Sequence, residues 1–172
     1  FGGGSASRRP PDDLGEELET ILTRFEALRH RPKRLPQQIK HMYIAKTQAR
    51  LRQLERTLGR GKAAAVAASH QAIRELARAI THPVLAAHHR VALAALRRLE
   101  GSLRAADVAL AHAETLARPL DSPWLQFLLT TERAKLAHVR GASETAAVVA
   151  QARAIASQHG WTARIALLRA LD

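Results

Sequence analysis

Apolar residues recur along this chain at intervals of three and four, and no segment alternates with period two. In "DDLGEELETILTRFEALRHRP", Leu14, Leu18, Ile21, Leu22, Phe25 and Leu28 fall on one helical face. Asp13 followed by Glu16 has the form of a capping box, and Arg29 and Arg31 suit the dipole at the far end of that helix. Pro32 and Pro36 bracket a short basic turn, "RPKRLPQ". A second helix is predicted over about 37–58, with Tyr43, Ile44, Thr47, Leu51, Leu54 and Leu58 on one side and Lys46, Arg52, Arg56 and Arg60 roughly opposite. Gly59-Arg60-Gly61 ends it, because glycine adopts the left-handed stop conformation at little steric cost. Further helices are predicted near 62–80, 84–100, 102–119, 123–140, 142–158 and 161–171. Short loops between them force neighbours to run antiparallel, so the expected fold is all-α, built from antiparallel helical hairpins.

The punctuation between these helices is periodic. Glycines stand at 61, 101 and 141, and prolines at 83 and 123. Gly101 and Gly141 read as the tight turns inside hairpins. Thr81-His82-Pro83 and Asp121-Ser122-Pro123 read as turns between hairpins, with proline at the first helical position, where its missing N–H costs nothing. Ser122 and His82 sit where a cap is wanted, and of the two only Ser122 is a good capping residue. Val66, Ala106 and Ala146 follow each turn glycine by five residues, and Leu54, Ala94 and Ala134 precede it by seven. Small residues at both points let the two helices of a hairpin approach closely. A fixed period of this length marks a helical solenoid.

Gly101 with Ala106 and Ala113, Gly141 with Ala146, and the set Ala94, Ala134, Pro83 and Pro123 resemble the layout of tetratricopeptide-type repeats over about residues 37–172. The unit here is 40 residues, longer than that family's usual ~34, and most of the family's aromatics at the hairpin contact are replaced by Ala and Leu. The resemblance implies a right-handed solenoid of stacked hairpins that docks partners. The segment from Leu116 to Trp161 is similar to repeats in large bacterial protein-kinase/ATPase and transcription-activator chains, which implies a regulatory fragment of a bacterial signalling protein. Some relatives grip a terminal carboxylate with paired Lys and Asn; this chain has no asparagine, so that role is not carried over.

On the inner face of such an array, helix 123–140 presents Trp124, Leu128, Thr131, Lys135 and His138. One repeat earlier the same stripe is Val84, His88, Val91, Ala95 and Arg98. An aromatic, apolar bodies and basic tips suit a peptide or helix of acidic character. The plainer reading is that Trp124 and Leu128 pack between hairpins and that Lys135, His138 and Arg98 are solvated.

Charge adds a second candidate surface. The chain carries 27 Lys and Arg against 15 Asp and Glu, a net +12. Residues 29–60 hold ten of the basic groups and one acid, Glu55, whereas residues 1–28 are net acidic. Lys33, Arg34, Lys40, Lys46, Arg52 and Arg56 are therefore candidate nucleic-acid contacts; the plainer reading is an ordinary charged helix face. Tyr43 is the only aromatic nearby, which disfavours base-specific recognition.

Composition removes other classes. Cysteine is absent, so no disulfide, thiol nucleophile or thiolate-bound metal is expected. None of the nine histidines pairs at i, i+4, and no metal or other cofactor is expected. No nucleophile elbow or phosphate loop is present, so no enzyme activity is expected. No apolar run approaches the ~18 residues of a membrane span, and a cytoplasmic location is expected. "FGGGSAS" at the start reads as a flexible linker or cloning scar within 1–11, residues 12–36 as an N-terminal helix and basic turn, and 37–172 as the repeats with a C-terminal capping helix. Because the chain starts at Phe1, it is expected to be a fragment. The expected partner is another protein or another domain of the parent chain, with self-association through Trp161, Ile165 and Leu168 of the last helix if that face is left open.

Overall fold

The structure, a computed structural model, describes residues 13–28, 31–57 and 59–171, with side chains described from residue 19 onward except at 60 and 170. Eight α-helices form among them: α1 (Asp13–Ala27), α2 (Gln37–Arg56), α3 (Lys62–Ala79), α4 (Pro83–Leu99), α5 (Leu103–Ala117), α6 (Pro123–Arg140), α7 (Thr145–Gln158) and α8 (Thr162–Leu168). No strand occurs among the described residues, and the fold is all-α. No helix is long and apolar enough to cross a membrane. The segment 1–11, the capping carboxylates of Asp13 and Glu16, the side chains of Leu14, Leu18 and Arg60, and residues Arg29, His30 and Leu58 lie outside what is described.

The turns follow the sequence signals, with two corrections. Pro83 and Pro123 open α4 and α6. The hydroxyl of Ser122 accepts the Leu125 N–H at 3.3 Å, and the Nδ1 of His82 accepts the Val84 N–H at 3.3 Å, so His82 also caps its helix. A neutral imidazole offers one unprotonated nitrogen, and here it faces an otherwise unpaired helical N–H. Gly141 takes φ +65° and closes α6 with its N–H on His138, while Ala142 reaches back to Ala137 at 3.0 Å. The second correction concerns the first hairpin. There the left-handed residue is Gly59, at φ +68°, while Gly61 has a right-handed φ of −74° and begins α3. Gly61 shares a sequence position with Gly101 and Gly141 but does not share their backbone role.

Each hairpin pairs a first helix with a second: α2 with α3, α4 with α5, α6 with α7. The first helices also touch one another in succession, α2 against α4 and α4 against α6, while each second helix touches the next first helix. Close approach inside the hairpins rests on small side chains. Ala94, Ala106, Ala109, Ala113 and Ala134 are all buried. Ala146 is exposed, contrary to the small-residue pattern: α7 begins only at Thr145, so Ala146 lies in its first turn and burial starts at Val149. The last helix turns its apolar face inward. Leu168 is fully buried, and Trp161 and Ile165 pack with it on Phe127, Ala134, Val149 and Ala156. Trp161 and Ile165 remain half-buried there.

At the other end α1 rests on α2. Leu22 is buried and Phe25 meets Tyr43 edge-on at 5.1 Å. Ile21 and Leu28, expected on the same face, are exposed at 46% and 61%: Ile21 points about 100° away from the buried Leu22, and Leu28 falls beyond the end of α1 at Ala27.

Candidate functional site

The first helices and α8 enclose a groove of about 720 Å3. It gathers all eight residues of the expected inner stripe: His88, Val91 and Arg98 from α4, and Trp124, Leu128, Thr131, Lys135 and His138 from α6. Ala95 joins them and Val84 does not. The 3.6-residue periodicity of two neighbouring helices explains the convergence, since positions 40 residues apart on α4 and α6 look into the same trough.

The chemistry differs from the expectation at Arg98 and Lys135. Neither is a free basic tip. Arg98 is 8% exposed; its Nε donates to Glu132 Oε1 at 2.6 Å and its Nη2 to Glu55 Oε1 at 3.0 Å. Lys135 Nζ donates to the two Glu55 oxygens at 2.9 and 2.8 Å. Four charges from α2, α4 and α6 thus alternate in sign across three helices. Burial pushes the Glu132 carboxyl up, and Arg98 and Lys135 pull it back. Burial opposes the charge on Arg98, yet Glu132 and Glu55 together hold it above the usual arginine value. At Glu132 burial outweighs the pull of Arg98 and Lys135, so its pKa stands above the usual carboxylate value even with the Arg98 Nε donating to it at 2.6 Å. Burial also acts against the Glu55 charge, but Lys135 and Arg98 outweigh it and lower its pKa. Interior charges are tolerated only when paired and hydrogen-bonded in this way.

Sequence reasoning missed Glu55 and Glu132. The signal was present for Glu132: with Leu125, Leu129 and Leu136 it completes an i, i+4, i+7, i+11 stripe of buried residues. A carboxylate on an apolar stripe announces a buried cation beside it.

Trp124 is a packing residue as well as a lining one. It lies 5.7 Å from Phe127, 5.4 Å from Trp161 and under the Arg164 guanidinium at 4.9 Å. This aromatic cluster ties α6 to α8, and its members each bury large area. A second hollow of about 380 Å3, sharing Trp124 and Arg164, extends the groove beyond it.

The basic block is also redistributed. Lys40 is buried and donates to the Thr81 hydroxyl at 2.8 Å. Lys46 is 2% exposed and pairs with Glu75 at 2.7 Å and Glu26 at 2.5 Å. Neither is available to a phosphate, and Lys46 does not lie on a solvated face, because α1 and α3 cover that side of α2. Arg50, on the same helix, pairs with Glu19. Lys33 and Arg34 are exposed on the turn at 32–34. Arg52 and Arg56 line the groove instead. Among the described residues no group of His, Asp and Glu is arranged to hold a metal ion.

Two polar side chains of the groove stand apart from this charge network. His88 is 7% exposed; burial, reinforced by His41, lowers its pKa to about 4, so it is neutral at pH 7. The Thr131 hydroxyl oxygen is buried without a hydrogen bond. Comparison with family models, with curated proteins and with solved structures finds no match for the chain.

Proposed function

We propose that this chain is a non-catalytic, tetratricopeptide-type interaction module, and that its groove docks a segment of another protein or of another domain of its parent chain. The observation that carries the reading is the groove itself. It is formed by consecutive first helices, and Val139 and Leu167 stand on it 53% and 61% exposed. Apolar side chains left open in a concave trough mark a surface that gains by being covered. The alternating glycine and proline turns and the 40-residue period support the repeat assignment and, with it, a regulatory role within a larger bacterial signalling chain.

Nucleic-acid binding through residues 29–60 is the weaker reading. It loses Lys40 and Lys46 to burial.

The test is capture from a lysate of the source cell, with and without nuclease, using the chain and its Val139→Asp/Leu167→Asp variant. Proteins retained after nuclease by the chain and lost by the variant are the expected result. Equal capture by both proteins, or capture abolished by nuclease, overturns the reading.

A further inference from the structure

The cations of the groove are of two kinds. Arg98 and Lys135 are locked to Glu55 and Glu132. Arg52 and Arg56 on α2, and Arg164 on α8, touch no carboxylate among the described residues. Arg52 and Arg164 repel each other across the trough: burial and the Arg164 charge together hold Arg52 below the ordinary arginine value, against the pull of Glu55. In all, five cationic side chains line the groove against two carboxylates, and both carboxylates are already engaged. Uncompensated like charges on partly desolvated walls favour entry of an anion.

The same groove also presents apolar side chains. Leu128, Val139 and Leu167 line it, together with the buried His88 and the Thr131 hydroxyl, whose oxygen has no hydrogen bond. Phosphates offer nothing to Leu128, Val139 and Leu167. The one tryptophan that lines the trough is held between Phe127, Trp161 and Arg164, so it is not a free platform for a base. An occupant that satisfies both kinds of lining combines carboxylates with apolar side chains.

Resting on the docking reading above, we propose that the groove takes an acidic amphipathic segment of a protein, its apolar face against Leu128, Val139 and Leu167 and its Asp and Glu side chains on Arg52, Arg56 and Arg164. Guanidinium forks suit carboxylates in this role because they bind them bidentately. The charges set on-rate and selectivity, and the apolar contacts set residence.

The test is selection of displayed random peptides of about 16 residues, some four helical turns, on the full chain. A fluorescent copy of the most enriched peptide is then titrated against the chain, Arg52→Glu/Arg56→Glu, and Leu167→Asp. Arg52 and Arg56 remain largely exposed on α2, so the double variant is expected to keep the fold, which circular dichroism checks before binding is read. The expected result is enrichment of Asp and Glu beside Leu, Ile or Phe, with binding weakened about tenfold or more by the arginine reversal and by added salt. Enriched peptides with no acidic excess, lost only with Leu167→Asp, overturn the acidic assignment and leave the docking reading standing. No enrichment over the bare support overturns both. A thymidine oligonucleotide that outcompetes the peptide at the same arginines also overturns the proposal.

Discussion

The first and second helices of the hairpins use the same amino-acid alphabet to different ends. Of the buried polar and charged residues, Lys40, Lys46, Thr47, His88, Arg98 and Glu132 all lie on α2, α4 and α6. The second helices α3, α5 and α7 bury alanine, leucine, isoleucine and valine, with Ser69 as the exception. Ser69 donates its hydroxyl to the Ala65 carbonyl of its own helix at 2.8 Å. The difference follows from how many sides are covered. A second helix buries one stripe and leaves the rest to water. A first helix meets its own partner, the preceding second helix and the neighbouring first helices, so polar residues on its flanks are enclosed and must find partners there.

That contrast predicts where substitutions cost most. Glu132→Ala leaves Arg98 buried with only Glu55 to pair it and is expected to destabilise by about 3 kcal/mol or more, read as a lowered urea midpoint. The joint change Arg98→Met/Glu132→Leu restores most of that loss, because matched apolar groups need no pairing. A Glu132→Ala protein as stable as the parent would break the comparison at its strongest point.

Acid sharpens it. The folded pKa of His88 is about 4, below the 6.5 of an unfolded histidine. The unfolded chain therefore binds the proton first, and stability falls as pH drops from about 6.5 toward 4, by up to about 3 kcal/mol from this residue. Burial lowers His89 in the same sense, with Arg90 adding to it. His88→Leu is expected to flatten the pH profile of unfolding across that window while leaving the His89 part.

On the second helices the sensitive property is volume. Ala113 is fully buried against α4, and Ala113→Leu is expected to cost about 1–3 kcal/mol by overpacking. Ala111→Leu, on the open side of the same helix, stays within about 0.5 kcal/mol. The smallest effects separate the turns. Gly141→Ala forces a left-handed alanine and costs about 1 kcal/mol. Gly61→Ala meets only the Thr57 methyl at 3.1 Å in a right-handed backbone and costs less, although the two glycines share a sequence position.

The same contrast decides what the chain discloses before folding. The helices and their turns were legible because each signal is local: prolines at 83 and 123, glycines after Arg140 and Glu100, one apolar stripe per segment. So was the gathering of the inner stripe, since it needs only helical period and repeat length. The fate of the charges was not legible. Lys46 lies off the apolar stripe, about 110° from its centre on a helical wheel, and reads as solvated, until Glu26 of α1 and Glu75 of α3 enclose it. Glu55 sits 80 residues from the lysine it binds. Pairings at that distance depend on how hairpins stack, which no local pattern encodes.

The most direct test is the thermal shift that the selected acidic peptide produces in the parent, in Glu132→Ala and in Arg52→Glu/Arg56→Glu. A ligand that binds only the folded chain raises its melting temperature. If paired charges hold the helices and unpaired ones receive the partner, Glu132→Ala melts lower but still shifts upward with peptide, and the arginine variant melts like the parent and does not shift. A shift lost in Glu132→Ala and retained in the arginine variant would contradict the account.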